Sequence, residues 1–188
     1  MTLADWAALD EDEPGEIVDG RLVEEEVADL VHEVVVAWLI RILSAWPGSR
    51  GGFVAASGTK LAVSGRRGRK PDLTVFLQGG KVPPRRGLVR VPPDIAVEVV
   101  SPTPRDARRD RIEKPDEYAA FGIRFYWIVD PELRSLEVLE LGPGARYVRA
   151  LAATEGLIEN VPGCPGLALD LDAIWREADR LGPPEEEG

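Results

Sequence analysis

Apolar and polar positions alternate along this chain with two different periods, one typical of helices and one typical of strands. Between residues 28 and 46 the apolar side chains recur every three or four positions, which predicts a long amphipathic helix ended by a Pro-Gly pair. Just before it, residues 16–24 read as two short strands on either side of an Asp-Gly pair. This arrangement is typical of a tight β-hairpin.

Short runs rich in Val, Ile and Phe, separated by glycine, proline and charged residues, predict a series of strands. The predicted strands cover residues 53–57, 59–63, 71–77, 95–101, 124–130, 135–141 and 146–152. Further helices are predicted over residues 3–9, 105–121 and 172–181, the first from a capping box and the second from a glycine at its end. This order indicates a single α/β domain over residues 1–181, and residues 182–188 are expected to form a disordered acidic tail.

Composition narrows the chemistry available to this domain. Among 188 residues there is one histidine and one cysteine, which excludes an internal disulfide, a His/Cys zinc cluster and a multi-histidine metal centre. The single cysteine and the lack of a basic-then-apolar leader indicate a reducing, cytoplasmic setting. No membrane span is expected, because the longest apolar-rich stretch, residues 30–46, is interrupted by His32, Glu33 and Arg41.

Charge is distributed unevenly along the chain. The formal net charge is -10, yet residues 60–114 contain 14 basic and 6 acidic residues, a local excess of +8. Such a concentration is expected where one face meets a polyanion, although a solvated, arginine-rich surface would give the same count. The basic side chains that suit contacts with nucleic-acid phosphates lie in two loops: Arg66, Arg67, Arg69, Lys70, Arg85 and Arg86.

Two carboxylates differ from the acidic residues of turns and helix faces. Glu98 lies within the nearly continuous apolar run of residues 95–100, which is typical of a strand covered on both faces. A carboxylate there needs solvent, a cation or a proton, and an open even-numbered face of the strand would supply the first. Asp72 opens the preceding strand, where an aspartate also serves as an ordinary turn acceptor. If the two strands are neighbours, both carboxylates converge on a site suited to Mg²⁺ and to phosphodiester chemistry.

A longer series of motifs runs through the same part of the chain. The motifs are Lys70-Pro71-Asp72, Ala96-Val97-Glu98-Val99-Val100-Ser101-Pro102, Asp110-x3-Lys114-x3-Tyr118-x3-Gly122 and Tyr126-Trp127-Ile128-Val129-Asp130-Pro131, with His32 and residues 16–22 upstream. Together they resemble the Uma2 family, a bacterial group of restriction-endonuclease-like proteins within the PD-(D/E)xK nuclease superfamily. The resemblance spans roughly residues 14–172 and implies a restriction-endonuclease-like core, a mixed β-sheet flanked by helices, with the N-terminal β-hairpin before it.

The resemblance also implies a metal site. Asp72 and Glu98 would be ligands of Mg²⁺ or Mn²⁺, and the backbone carbonyl of Val99 would complete the set. His32, on the first long helix, has two readings. It is either a half-buried histidine bonded to a neighbour, or an accessory residue that binds the metal through water or contacts phosphate.

The lysine of the superfamily motif is displaced in this chain. Its usual position, two residues after Glu98, holds Val100. The family pattern moves the role to Lys114 on the following helix, and a spacing of four residues puts Asp110 on the same helix face. Pro115 disfavours helical geometry at this point and predicts a kink.

These features favour a Mg²⁺-dependent endonuclease that hydrolyses DNA phosphodiester bonds, with the basic loops holding the DNA backbone. Two alternatives stay open: a non-catalytic module that keeps the nuclease fold to bind nucleic acid or a protein, and a metal-dependent hydrolase of small phosphoesters. Superfamily nucleases are frequently homodimers, and two active sites would suit duplex cleavage.

Overall fold

Helices and strands follow one another much as the sequence predicts. The structure, a computed structural model, describes residues 1–9, 15–24, 28–46, 48 and 50–182, so the predicted tail lies outside the described residues except for Gly182. The α-helices are α1 (Leu3–Ala7), α2 (Leu30–Ala45), α3 (Pro104–Arg108), α4 (Lys114–Phe121) and α5 (Leu171–Ala178). The strands are β1 (Glu16–Val18), β2 (Arg21–Val23), β3 (Phe53–Ala56), β4 (Leu73–Phe76), β5 (Ile95–Val99), β6 (Phe125–Asp130), β7 (Ser135–Gly142), β8 (Arg146–Ala153), β9 (Leu157–Ile158) and β10 (Leu169–Asp170). None of the helices in these ranges has the length and apolar character needed to cross a membrane.

A six-stranded mixed sheet forms the centre of the fold. Its strands lie in the order β3-β4-β5-β6-β7-β8, and each neighbouring pair is antiparallel except β5 and β6, which are parallel. β1 with β2, and β9 with β10, form separate two-stranded sheets. In the β4–β5 pair, Leu73 lies opposite Val97. The strands next to Asp72 and containing Glu98 are therefore neighbours. This confirms the condition under which the two carboxylates were expected to converge.

Both faces of β5 are covered. Its odd-numbered residues pack with α2 and α5 on one side of the sheet. On the other side, Ala96 and Val100, the residue after the strand, pack with Tyr118 of α4. Burial on both faces explains why this strand is nearly continuously apolar. The open-face explanation for Glu98 is wrong, because all five residues of β5 are buried and the glutamate is 3% exposed.

The N-terminal hairpin packs against the loop that leads to the sheet. Asp19 and Gly20 have φ angles of 50° and 81°, the positive values that a tight two-residue hairpin turn requires. Ile17 of β1 exchanges backbone hydrogen bonds with Gly68. The hairpin is thereby fixed beside the segment that ends at Asp72.

The strand predicted over residues 59–63 is wrong. Leu61 makes isolated bridges to Arg69 on one side and to Val89 on the other. The chain turns back at once, since the Ser64 N–H bonds to the Arg67 carbonyl. Leu61 therefore pairs with Arg69 and with Val89 through isolated bridges, and this part of the described chain does not form a strand.

The helix predicted over residues 105–121 is divided into three parts. A π-helical turn (Arg109–Glu113) separates α3 from α4, and in it the Lys114 N–H donates to the Arg109 carbonyl, five residues back. Pro115 contributes to the break, because it has no N–H with which to continue the α-helical pattern. The predicted kink therefore takes the form of one wide turn immediately before α4.

Candidate active site

Asp72 and Glu98 lie at adjoining ends of neighbouring strands. Asp72 directly precedes β4, whose start lies next to the end of β5 because the pair is antiparallel. The Val99 N–H donates to Asp72 Oδ2 at 2.7 Å, which holds the aspartate against the end of β5. Glu98, the residue before Val99, completes a pair of carboxylates at the adjoining ends of two neighbouring strands.

Lys114, at the start of α4, contacts Glu98 of this carboxylate pair. Its Nζ lies 2.9 Å from Glu98 Oε2 and 2.8 Å from Asp110 Oδ1. A third carboxylate, that of Glu16 in β1, has Oε1 3.9 Å from the same nitrogen. The wide turn before α4 therefore still allows the contact with Asp110 that the four-residue spacing predicts.

Tyr118 occupies the second oxygen of Glu98. Its hydroxyl donates to Glu98 Oε1 at 2.6 Å, while Lys114 contacts Oε2. Tyr118 is fully buried, and its ring packs edge-to-face on Tyr126 with a centroid distance of 5.1 Å. The glutamate is thus held by two donors from one helix.

Carboxylates are crowded around the Lys114 ammonium group. Burial raises the pKa of Glu98 well above its ordinary value; Lys114 opposes this shift, and the charges of Asp110, Asp72 and Glu16 reinforce it. Burial would lower the pKa of Lys114, but Asp110, Glu16 and Glu98 raise it well above its ordinary value, so the ammonium stays charged. A proton on Glu98 or a bound cation would relieve the repulsion among these carboxylates.

The buried position of Arg69 corrects its predicted role as a nucleic-acid contact. Its side chain is 0% exposed, and it donates to Glu16 Oε2 at 2.6 Å and to both oxygens of Glu117 at 2.7 Å. A buried guanidinium requires such carboxylate partners, because an unpaired charge is costly in the interior. Arg69 therefore links the hairpin to α4 and is not available to a DNA phosphate.

The other arginines of the first basic loop are also anchored to the hairpin. Arg66 is exposed, and its guanidinium donates to the Asp19 carbonyl at 2.9 Å. Arg67 is half-buried between the Asp19 carboxylate, at 2.9 Å, and Glu117, at 2.6 Å. These contacts fix the backbone of the loop a few residues before the aspartate of the site.

The remaining predicted nucleic-acid contacts are accessible. Lys70 is half-buried and lines the cavity described below, next to the aspartate of the site. Arg85 and Arg86 are exposed in the loop between β4 and β5. These three side chains are placed where a phosphate could approach them.

His32, in α2, contacts Asp72 of the carboxylate pair. Its Nε2 lies 3.2 Å from Asp72 Oδ2, and its Nδ1 lies 3.5 Å from Glu33 Oε1. Burial lowers the pKa of His32, but the hydrogen bond and charge of Asp72, together with Glu33, more than offset this and raise it above the ordinary value. The histidine is buried and bonded to a neighbour, and that neighbour is a candidate metal ligand.

A cavity of about 510 Å³ gives access to these groups. It lies among α2, the segment after β3 and the adjoining ends of β4 and β5. Its lining includes His32, Lys70, Asp72, Glu98, Asp110 and Lys114. The Asp72 side chain is 17% exposed, whereas those of Glu98 and Lys114 are 4% exposed, so the aspartate is the most accessible of these three groups.

The donor chemistry fits a hard divalent cation. Asp72 and Glu98 offer carboxylate oxygens, which Mg²⁺ prefers, and the crowding of negative charge around Lys114 favours a cation. Within the described ranges, no group of three or more His, Cys, Asp and Glu side chains is arranged to hold a metal ion. Two carboxylates do not conflict with Mg²⁺ binding, because this ion usually keeps several water ligands.

Sequence reasoning quoted Tyr118 and Glu16 only as motif positions without a role in the site, and it gave Arg69 the role of a nucleic-acid contact. Tyr118 had a usable signal, since it follows Lys114 by four residues and therefore lies on the same helix face. Glu16 was read as part of the hairpin and of the family motif over residues 16–22, and Arg69 is one of several arginines in a short loop. No spacing within the loop distinguishes the buried arginine from its exposed neighbours.

The sheet order and helix placement define a nuclease-like α/β fold. The chain is similar to the crystal structure of a "putative nuclease belonging to DUF820" from Anabaena variabilis ATCC 29413, with a TM-score of 0.73. The two are 18% identical, and the match covers 95% of this chain and 99% of that chain. At 18% identity, this likeness shows the fold alone.

Family membership follows from the sequence itself. The pattern of the Uma2 family, described as "putative restriction endonuclease", matches residues 2–172. The chain therefore belongs to the Uma2 family, which confirms the resemblance drawn from its motifs. A comparison with curated proteins finds no match.

Proposed function

We propose that this protein is an endonuclease that uses Mg²⁺ or Mn²⁺ to hydrolyse phosphodiester bonds in DNA. The observation that supports this most strongly is the convergence of Asp72, Glu98 and Lys114 at one cavity. Membership of the Uma2 family supports the reaction class. Carboxylate oxygens suit a divalent cation that polarises a phosphate and activates water, and a charged lysine beside them can stabilise the charge that develops in phosphodiester hydrolysis.

The metal would be held by oxygen ligands at the joined ends of β4 and β5. Asp72 and Glu98 would contribute carboxylate oxygens, and the backbone carbonyl of Val99 would complete the protein's share of the ligands. When bound, such an ion polarises a phosphate and lowers the pKa of a water molecule. His32 would fix the orientation of Asp72 through the 3.2 Å contact of its Nε2.

Lys114 would supply positive charge at the reacting phosphate. Its ammonium lies 2.9 Å from Glu98 Oε2, beside the proposed metal ligands, and three carboxylates keep it protonated. From this position it would orient the attacking water or offset the charge that builds up on the phosphate. Asp110, at 2.8 Å, would hold the ammonium in place.

DNA would be held through its phosphates by exposed basic side chains. Lys70 in the cavity wall and Arg85 and Arg86 in the β4–β5 loop support this proposal, with Arg66 and the half-buried Arg67 at the edge of the hairpin. Binding of this kind releases counterions, so it would weaken strongly with increasing salt.

A non-catalytic module with the nuclease fold is the second candidate. One observation favours it: both oxygens of Glu98 are already in contact with donors, the Tyr118 hydroxyl and the Lys114 ammonium. A metal ion would have to share this carboxylate with them. Such a protein would bind nucleic acid or a partner protein without cutting DNA.

Purified protein should convert supercoiled plasmid into nicked circles in the presence of Mg²⁺ or Mn²⁺, and a chelator should stop the reaction. Calorimetric titration with Mn²⁺ should show binding at millimolar concentrations or below. Linear plasmid formed together with the nicked circles would support a homodimer with two active sites.

The outcomes separate the candidates. Failure to bind Mn²⁺ at millimolar concentrations, together with intact plasmid, would overturn the proposal and favour the non-catalytic module. Hydrolysis of a small phosphoester without any nicking would instead favour the third class considered from the sequence.

Replacing Lys114 by methionine should lower the nicking rate about 100- to 1000-fold, the usual effect of removing one preorganised electrostatic contact from an active site. Methionine keeps an unbranched stem but removes the charge. Mn²⁺ binding should be retained, because the proposed ligands Asp72 and Glu98 are unchanged. Timed plasmid digestion and Mn²⁺ calorimetry measure the two effects.

Lys81→Met serves as the control for this substitution. It removes the same charge from an exposed loop position and should leave nicking unchanged. Equal activity of Lys114→Met and wild type would mean that Lys114 only neutralises buried carboxylates.

A further inference from the structure

The hydroxyl of Tyr118 has no role in the reaction proposed above, yet it bonds directly to a proposed metal ligand at 2.6 Å. We propose that Tyr118 is a positioning residue, which fixes the orientation of the Glu98 carboxylate for a divalent cation. This inference rests on the proposed function, because it assigns a metal to the same carboxylate.

The geometry of the two donors supports this role. Lys114 and Tyr118 are one helical turn apart on α4, and they contact different oxygens of Glu98, Oε2 at 2.9 Å and Oε1 at 2.6 Å. The terminal torsion of a glutamate is soft, so a carboxylate held at one oxygen rotates readily. Donors on both oxygens define the plane of the group and remove that freedom.

Tyr118 is itself held rigidly. Its ring is fully buried and meets Tyr126 edge-to-face at an angle of 81°. The Tyr126 hydroxyl donates to the Asp110 carbonyl at 2.8 Å, in the turn just before α4. The phenol therefore cannot leave Glu98 unless the aromatic cluster and this turn move as well.

The choice of acceptor separates Tyr118 from the other two tyrosines of the chain. Tyr126 and Tyr147 donate to backbone carbonyls, those of Asp110 and Ile123, each at 2.8 Å. Tyr118 donates to a carboxylate instead. A phenylalanine would fill nearly the same space, so the hydroxyl is the part of this residue that packing does not explain.

Tyr118→Phe removes the hydroxyl and keeps the ring. Outer-shell partners of metal ligands typically contribute 10- to 100-fold to metal affinity, so the calorimetric Kd for Mn²⁺ should rise by about tenfold or more. The kcat for plasmid nicking should fall, while KM for the plasmid should stay unchanged because no DNA contact is altered. The matched control is Tyr147→Phe, which loses a hydroxyl bonded to a backbone carbonyl and should bind Mn²⁺ like the wild type.

The outcomes distinguish this inference from the proposed function. If the wild type binds Mn²⁺ and Tyr118→Phe binds it equally well, the positioning role is overturned and the endonuclease proposal is left intact. Wild-type protein that binds no Mn²⁺ would overturn both. An equal loss of affinity in Tyr147→Phe would show that the effect comes from packing, and would also overturn the inference.

Two further measurements accompany this test: the thermal stability of Tyr118→Phe and, if that variant does not fold, an absorption spectrum of the wild type. The melting temperature of the metal-free variant should fall by about 5 to 10 °C, as expected for losing one hydrogen bond to a charged group in a chain of this size. If the variant is unfolded, the wild type can be tested directly, because Mn²⁺ on Glu98 should perturb the near-ultraviolet absorption of the bonded tyrosine. Saturation with Mn²⁺ without any tyrosine difference spectrum would overturn the inference.

Discussion

Asparagine in place of Asp72, or glutamine in place of Glu98, should lower the rate of plasmid nicking about 1000-fold or more, because a metal contributes several kcal/mol of transition-state stabilisation. Each amide keeps the shape of the side chain and removes its negative charge. The amide oxygen at position 72 can still accept the Val99 N–H, so the ends of the strands stay joined. Time courses of plasmid conversion measure the rate, and calorimetry should show that Mn²⁺ binding is lost with it.

Asp94 provides the matched control for Asp72. It precedes β5 as Asp72 precedes β4, and its Oδ2 accepts the Leu77 N–H at 2.7 Å, the same distance as in the bond from the Val99 N–H to Asp72. The two aspartates thus do the same structural work at opposite ends of one strand pair. Asp94 is not among the residues that line the cavity. Asp94→Asn should therefore keep full nicking activity.

This comparison separates chemistry from structure. Equal losses in Asp72→Asn and Asp94→Asn would mean that Asp72 acts only by joining two strands. Full activity in Asp72→Asn and Glu98→Gln would show that the site assignment is wrong. Loss of activity confined to these two variants, with Asp94→Asn unaffected, is the result that the proposed endonuclease requires.

Glu98 illustrates what the sequence can predict about this site. A charged residue inside a fully apolar strand conflicts with its surroundings, and that conflict is visible without any structure. The position of Asp72 near Glu98 was predicted by a different argument, because consecutive strands are often neighbours in a sheet. The pairing of β4 with β5 and the burial of every residue of β5 agree with both arguments.

The partners of these carboxylates depend on contacts between distant parts of the chain. Arg69 meets Glu16 and Glu117 at sequence separations of 53 and 48 residues, so no local pattern marks it as the buried arginine of its loop. Lys114 was found from the family pattern and Asp110 from helical spacing. The π-helical turn that contains Asp110 and directly precedes Lys114 follows no simple spacing rule, although Pro115 indicated where the helix would deviate.

Strand prediction failed where burial and pairing do not coincide. Residues 59–63 include apolar side chains, and Leu61 is fully buried, yet both of its backbone hydrogen bonds go to Arg69, while Val89 bonds to the residues on either side of Leu61. Apolar runs report burial, whereas a strand also requires a partner over several residues. Arg69 lies in the stretch that forms one of the bridges to Leu61, so the same irregular region contains the failed strand prediction and the arginine whose role was wrongly predicted.

Methionine in place of Arg69 should lower the free energy of unfolding by about 3 to 5 kcal/mol, the range measured when one partner of a buried ion pair is removed. The carboxylate of Glu16 is 1% exposed and would lose its guanidinium partner. Lys114 is 3.9 Å from Glu16, beyond hydrogen-bonding distance, and Arg67 remains bound to Glu117 at 2.6 Å. The loss should therefore arise mainly at Glu16, and urea unfolding of the metal-free protein measures it.

Two further variants test the cause of this loss. Arg85→Met removes the same charge from an exposed side chain and should change stability by no more than about 0.5 kcal/mol. Combining Arg69→Met with Glu16→Gln should recover part of the loss, because the buried side chain that has lost its guanidinium partner is then neutral. If Arg69→Met were as stable as Arg85→Met, or if Glu16→Gln gave no recovery, the buried ion pair could not be what fixes the hairpin against α4 beside Lys114.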